Sequence, residues 1–327
     1  MGLSTNAKEA AVSKTEPRKI RWVLAHEPVT LFNRAASHFA EEVKKRSNGQ
    51  LEVEVLTVPQ YAAKYNKGRI LRHDQVVKYI QIGNIEMSQT YTTDLGRLNP
   101  DLYVLDLPFL FRNHAHATKV LEGEVGNALL AGLAPANVRG LAFTYSGGYR
   151  VIPSKKEITS IDQFKGMKIR TSGSPVAKDT FAALGATPIP LDLEDVPQAS
   201  KEGRIEGAES TYPRFYSMKQ NEVSSVLNDT QHSLFLTSIV VNEKFWNSLS
   251  PDLQKAVRES AVSAARLERQ ESIEDAELTK EKCRKEGIKV TTLSEKEQER
   301  FKAATKDIYK KYHSKFSKDY ISAIQGE

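Results

Sequence analysis

The stretch IRWVLAHEPVTLFNRAASHFAEEVKKRSNGQLEVEVLTV, residues 20–58, decides the fold class. Its first six residues are a short apolar run of strand type. Leu31, Ala35, Phe39 and Val43 then recur four apart, the stripe of a helix with one buried face. Lys44, Lys45 and Arg46 fill the last turn, and Gly49 stands where a C-terminal cap glycine belongs. LEVEVLTV (51–58) alternates as a strand does. Strand, helix and strand in this order argue for an α/β layer with a parallel or mixed sheet.

The pattern continues along the chain. ILRHDQVVKYIQIG (70–83) predicts a helix and IEMSQT (85–90) a strand. A second α/β unit is expected from about residue 149. SIDQ (160–163) has a capping-box spacing, MKIR (167–170) predicts a strand, SPVAKDTFAALG (174–185) a helix, and TPIPL (187–191) and RIEGAES (204–210) two more strands. Ser250 then caps a helix with Pro251 at its first position, and no breaker follows until Gly287. A helix of about 36 residues is roughly 54 Å long, more than one small domain is wide. It is expected to cross between two domains. The predicted organisation is a leader at 1–18 without fixed structure, one domain from 19–146 plus 232–270, and a second from 147–231 plus 271–327.

Composition narrows the function. The chain has 327 residues, 39% hydrophobic and 8% aromatic, which fits a globular protein long enough to bury a large core. The net charge of +6 comes from 47 basic and 41 acidic residues interspersed, with no basic stripe among aromatics, so nucleic acid is not an expected partner. No run approaches a membrane span. The only cysteine is Cys283, in a highly charged turn, so an intrachain disulfide is impossible and an activated thiolate is not expected. MGLSTNAKEAAVSKTEPRK (1–19) lacks the apolar core of a signal peptide; it reads either as a cytosolic start or as a mature terminus with an added Met. No glycine-rich phosphate loop, His-Glu-x-x-His helix or Gly-x-Ser-x-Gly elbow occurs. His114 and His116 lack an acidic or cysteine neighbour and read as a polar loop before a helix. Neither a metal nor a cofactor is expected, and weight moves from enzyme to binding protein.

Two arginines stand out. Arg150 closes FTYSGGYR and Arg170 closes GMKIR, each at the end of an apolar strand, and Arg170 is followed at once by Thr-Ser-Gly-Ser-Pro. In an α/β sheet such strand ends are where ligands bind. The planar fork of an arginine matches a carboxylate with two parallel bonds.

From residue 20 onward the chain resembles the DctP-like solute-binding subunits of tripartite ATP-independent periplasmic (TRAP) transporters. The resemblance is carried by SNGQLEVEV (47–55), by GNIEMSQTYTTDLGRLNPDLYVLDLPFLFRNHAHATKVLEGEVG (83–126), by IDQFKGMKIRTSGSP (161–175), LGATPIPLDLEDV (184–196) and GRIEGAES (203–210), and by VNEKFWNSLSPDLQKAVRESA (241–261). It implies two α/β domains joined by hinge strands, with a long domain-crossing helix, and no enzymatic activity. It implies a monomeric periplasmic receptor that captures a small organic acid, either a sugar acid or a dicarboxylate, for the membrane subunits of a transporter. Arg170 is then the principal partner of the substrate carboxylate and Arg150 a second contact. Ser210, where relatives often carry Asn, lines the same cleft with Tyr91, Phe235, Thr90 and Tyr212, and His26 and Glu27 stand at the other lip. The hydroxyls of Thr90, Thr92 and Ser210 tilt the expectation towards a hydroxylated acid. Two readings compete: an enzyme on the same scaffold with His26 and Glu27 as a base pair, or a receptor feeding a membrane sensor. The chain departs from the family at Ser210, at Pro197, which is expected to kink or shorten a helix, and over YAAKYNKGRILRHDQ (61–75), which borders the cleft.

Overall fold

A computed structural model describes residues 16–26 and 29–327; Glu27 and most of the expected leader lie outside the described residues. Among the described residues there are eleven strands: β1 (Arg18–Leu24), β2 (Leu51–Thr57), β3 (Met87–Tyr91), β4 (Val138–Ser154), β5 (Lys168–Thr171), β6 (Thr187–Pro190), β7 (Gly207–Ala208), β8 (Ser210–Thr211), β9 (Val226–Asp229), β10 (Leu234–Asn242) and β11 (Lys289–Thr292). The main path runs β2-β1-β3-β10-β4-β7-β5-β6. β1 is parallel to β2 and β3, as the opening strand–helix–strand stretch requires, because a helix must cross over between them. β10 runs antiparallel to both β3 and β4. The far half of β4 meets β7, β8 and β9 antiparallel, while β5 lies parallel to β6 and β7 and β11 parallel to β9. The fold is α/β, with two groups of strands that share the 17-residue β4.

Side chains alternate between two layers, as the period of a strand demands. Trp22 and Leu24 face a core built on the helix Val29–Arg46 through Phe32, Phe39 and Val43. Val23 points to the opposite core, with Leu56, Ile80 and Leu129. The last helices, Lys306–His313 and Tyr320–Gly326, contribute Ile308, Tyr312 and Ile324 to that second core, and the Tyr312 hydroxyl also donates to Asp179 Oδ2 at 2.6 Å. On the other strand group Ile152 packs with Phe164, Phe181 and Phe301, and Val151 on the opposite face with Phe215, Leu227 and Cys283. Cys283, expected in a charged turn, is fully buried, because its side of that turn faces this cluster.

The long helix spans Pro251–Lys285, and Ser250 Oγ accepts from the Leu253 N–H as its cap. Val257, Ala261 and Ala264 pack against the first strand group, and Cys283 against the second, so the helix crosses between them. Other elements are shorter than the sequence suggested. The helix expected over 70–83 is His73–Gln81, the capping box at Ser160 opens a 3₁₀ turn, and RIEGAES is two two-residue strands. Pro197 lies in the first turn of the six-residue helix Val196–Lys201, where its missing N–H costs nothing, so the helix is short and not kinked. His114 and His116 lie in the helix His114–Glu122, not in a loop before it, and His116 bridges Arg112 N and Ile324 O.

β4 changes partners at a glycine pair. Gly147 and Gly148 have φ of +91° and +84°, and the pairing with β10 shifts register there, since Phe235 opposes Gly148 while Leu236 opposes Tyr145. A Cβ on Gly147 would come within 2.4 Å of Thr211 Oγ1. Only glycine supplies that backbone turn and that close approach together.

Candidate functional site

Arg170 is the third residue of the four-residue β5, and its side chain is buried where the strand ends. Two carbonyls hold it: Nε donates to Leu191 O at 2.7 Å and Nη1 to Glu209 O at 3.0 Å. Those bonds fix the plane of the guanidinium. Burial lowers its pKa to about 10, which leaves it charged at neutral pH. It lines a cavity of about 330 Å³ shared with Tyr91, Phe235, His73, Asp94, Asp192 and Glu194.

Arg150 reaches the same region from β4. It is 1% exposed, and its guanidinium carbon stands 4.0 Å above the centre of the Phe235 ring. Its Nε lies 3.6 Å from Glu209 Oε1, yet Nη1 is buried with no hydrogen-bond partner among the described residues. Glu209 also accepts from the Ser172 N–H at 3.1 Å and from His232 Nε2 at 3.1 Å. Burial alone would raise the Glu209 pKa, but Arg150, the His232 bond and Arg170 outweigh it and hold the carboxyl down at about 2. The Glu209 carboxylate thus pairs with Arg150, while Arg170 is tied to the main-chain oxygen of the same residue.

The remaining walls are aromatic and hydroxylic. Tyr91 stacks on His26 with ring centres 3.5 Å apart and lies 5.0 Å from Phe235. His26 Nε2 accepts the Tyr91 N–H at 3.2 Å, so the ring proton sits on Nδ1. Burial, with the charges of His73 and Arg214, pushes the His26 pKa well below its usual value and keeps the ring neutral. Among the described residues, His26 Nδ1, Tyr91 OH, Ser210 Oγ and Thr90 Oγ1 are buried with no hydrogen-bond partner. Each such group costs about 1–3 kcal/mol of desolvation unless something pairs with it.

The predicted residues therefore do not all converge. Arg170, Arg150, Tyr91, Phe235 and His26 come together around the Phe235 and Tyr91 rings, whereas in the β4–β8 ladder Arg150 pairs with Thr211 and Ser210 with Val151. Thr90 is one residue out of phase with Tyr91, so the pleat sends the two side chains to opposite faces of β3. Thr92 is tied to the backbone, its hydroxyl donating to Leu236 O at 3.0 Å. Tyr212 lies elsewhere, in a cavity of about 300 Å³ with Tyr149, Asp229, Gln231 and Lys280. Glu27 lies outside the described residues.

Sequence reasoning missed Arg214. It is fully buried on the helix Tyr212–Ser217, donates from Nη2 to Ser146 Oγ, and stands 5.2 Å from the Phe235 ring and 5.5 Å from that of Tyr91. A cation inside the aromatic run Tyr-Pro-Arg-Phe-Tyr was the available signal. Glu209 was quoted only as part of a motif, and His232, 23 residues away, carried no signal linking the two. Among the described residues no helix is long and apolar enough to cross a membrane, and no group of His, Cys, Asp and Glu could hold a metal ion.

Comparison with known proteins gives consistent findings. The family described as bacterial extracellular solute-binding protein, family 7, of DctP type, matches residues 25–315. The chain is 29% identical over 262 residues to the C4-dicarboxylate-binding periplasmic protein DctP of Rhodobacter capsulatus, covering 79% of this chain and 76% of that one. Among solved structures, a TRAP periplasmic solute-binding protein of Pseudomonas putida F1 with bound D-glucuronate superposes with a TM-score of 0.83 at 26% identity, covering 95% and 97% of the two chains. The sugar-acid-binding protein of Advenella mimigardefordensis in complex with galactonate gives 0.82 at 27% identity, covering 94% and 97%.

Proposed function

This chain belongs to family 7 of the bacterial extracellular solute-binding proteins, the DctP-like receptors of TRAP transporters, and we propose that it captures a small organic acid between its two strand groups. The observation that carries this reading is the set of buried polar atoms, Arg150 Nη1 among them, left unpaired near two buried arginines. A ligand carboxylate would accept from the Arg170 guanidinium and from Arg150 Nη1, replacing the acceptor that Arg150 lacks among the described residues. Ligand hydroxyls would meet Ser210 Oγ, Tyr91 OH and His26 Nδ1–H. Phe235 and Tyr91 supply apolar faces for a carbon skeleton. Charge-assisted bonds in such a site contribute roughly 1.5–3 kcal/mol each, enough for micromolar capture of a molecule with two or three anchors.

The ligand class is a sugar acid or a dicarboxylate, the kinds of acid bound by the relatives above. In this reading the chain is a monomeric periplasmic receptor and not an enzyme, and it hands its cargo to the membrane subunits of a transporter. The hinge lies where β4 changes partners at Gly147 and Gly148. One moving unit is 19–146 with 232–270, the other 147–231 with the residues from 271 onward. The second unit is expected from sequence to extend to 327, but Ile308, Tyr312 and Ile324 belong to a core of the first, which favours returning the chain end to it. Isothermal titration with D-glucuronate, galactonate and succinate tests the reading. Saturable one-to-one binding of at least one acid is the expected result, and no heat from any of them, or from a wider panel of carboxylates, would overturn it.

A further inference from the structure

The segment 61–75, which departs from the family pattern, ends at the mouth of the cavity. Arg72 precedes the helix His73–Gln81 and His73 opens it. Arg72 Nη2 forms an ion pair with Asp192 Oδ2, and His73 Nε2 lies 3.3 Å from Asp192 Oδ1. Asp192 follows β6 in the opposite strand group. The other His73 nitrogen, Nδ1, lies 2.9 Å from Asp94 Oδ2 within its own group. An imidazole with a carboxylate oxygen at each nitrogen carries a proton on both. Both oxygens of Asp192 are therefore engaged by cations from across the cleft.

We propose that Arg72, His73 and Asp192 form an ionic clasp across the cleft mouth, which retains the closed arrangement and slows ligand escape without touching the ligand. The clasp's effect on ligand escape rests on the reading of the cavity as the ligand site; its effect on closure does not. The groups facing His73 are Asp94 on the helix Thr92–Leu95, Asp192, the His26 ring at 5.4 Å, the Tyr91 ring at 5.9 Å, and Asp74 on its own helix. Burial pulls the His73 pKa down, but the Asp94 bond and the charges of Asp94 and Asp192 raise it to about 9. The two pairs differ in strength. Arg72 is 70% exposed, so its pair is screened and weak, whereas the His73 side chain is 15% exposed and carries most of the clasp. Asp94 positions the imidazolium and stays with it when the cleft opens. A device that raises the closed fraction tightens apparent affinity in proportion.

The test uses the full chain with spin labels at Arg69→Cys and Lys201→Cys, both exposed residues, one in each of the two proposed moving units. Distances are measured without ligand, in the wild-type background and with Asp192→Asn, Asp192→Glu and His73→Gln. A short-distance population that shrinks in Asp192→Asn and His73→Gln, and returns in Asp192→Glu, is expected. Stopped-flow release of D-glucuronate or succinate should be about threefold faster in Asp192→Asn, with association nearly unchanged. Identical distance distributions in all four proteins would overturn the proposal. If distances shift while neither acid binds, the clasp stands and the reading of the cavity falls.

Discussion

Arg150 Nε and Glu209 Oε1 lie 3.6 Å apart, each side chain 1% exposed, and the pair leaves Arg150 Nη1 without an acceptor among the described residues. Glu209 is committed on its other sides to the Ser172 N–H and to His232, so it orients Arg150 but cannot satisfy it. Breaking a buried pair from one side costs about 3–5 kcal/mol, because the remaining charge has no water to return to. That asymmetry makes each partner a sharp probe.

Arg170→Ala should weaken binding of a carboxylate ligand by more than about a hundredfold, the equivalent of roughly 3 kcal/mol lost. Arg170→Lys should restore little. Leu191 O and Glu209 O hold Nε and Nη1 of a planar fork, and an ammonium cannot occupy both positions. Calorimetric titration of both variants with an acid that the wild type binds checks the pair.

Glu209→Gln should lower the melting temperature at pH 7 and flatten the acid limb of the stability profile. A carboxyl held at about 2 when folded gives stability that is fully present above its unfolded value of 4.5 and is lost as pH falls through about 2. The loss at neutral pH is on the order of a few kcal/mol. Thermal melts from pH 2 to 7 would read both changes, and an unaltered acid limb would count against the pair.

Glu268, buried in the long helix, behaves in the opposite sense. It accepts from the Tyr145 N–H and the Ser272 hydroxyl, yet burial raises its pKa to about 7. The folded chain therefore holds this proton between pH 4.5 and 7 where the unfolded chain does not, and stability falls as pH rises across that window. Glu268→Gln keeps an oxygen for Tyr145 and removes the titration. Its melting temperature should match the wild type near pH 4.5 and exceed it at pH 8.

Gly147 and Gly148 should respond differently to alanine. Both sit at positive φ, which costs about 1 kcal/mol for a residue with a side chain. At Gly147 the added methyl also meets Thr211 Oγ1 at 2.4 Å, whereas at Gly148 the nearest atom is 4.0 Å away. Gly147→Ala should therefore destabilise by more than Gly148→Ala, read as the difference between their chemical-denaturation midpoints.

Much of this architecture is legible in the residues. The four-apart stripe through Phe39 and the alternation of LEVEVLTV place a helix between parallel strands, and Ser250-Pro251 marks where the crossing helix starts. Arg170 could be singled out because an apolar strand delivered it to a hydroxyl-rich turn. What failed was phase and long range. Thr90 and Tyr91 look equivalent in sequence, but the pleat separates them. Tyr212 follows Ser210 by two residues, and the change from strand to helix between them sends it to another cavity. The pairing of Glu209 with His232 and the link between His73 and Asp192 join distant segments, and no local pattern encodes either.

The most direct measurement is a crystal structure of the chain with an acid that it binds in titration. One carboxylate is expected within hydrogen-bonding distance of the Arg170 guanidinium and Arg150 Nη1, over the face of Phe235. An acid seated instead against Tyr149, Tyr212 and Lys280, with the arginines untouched, would contradict it.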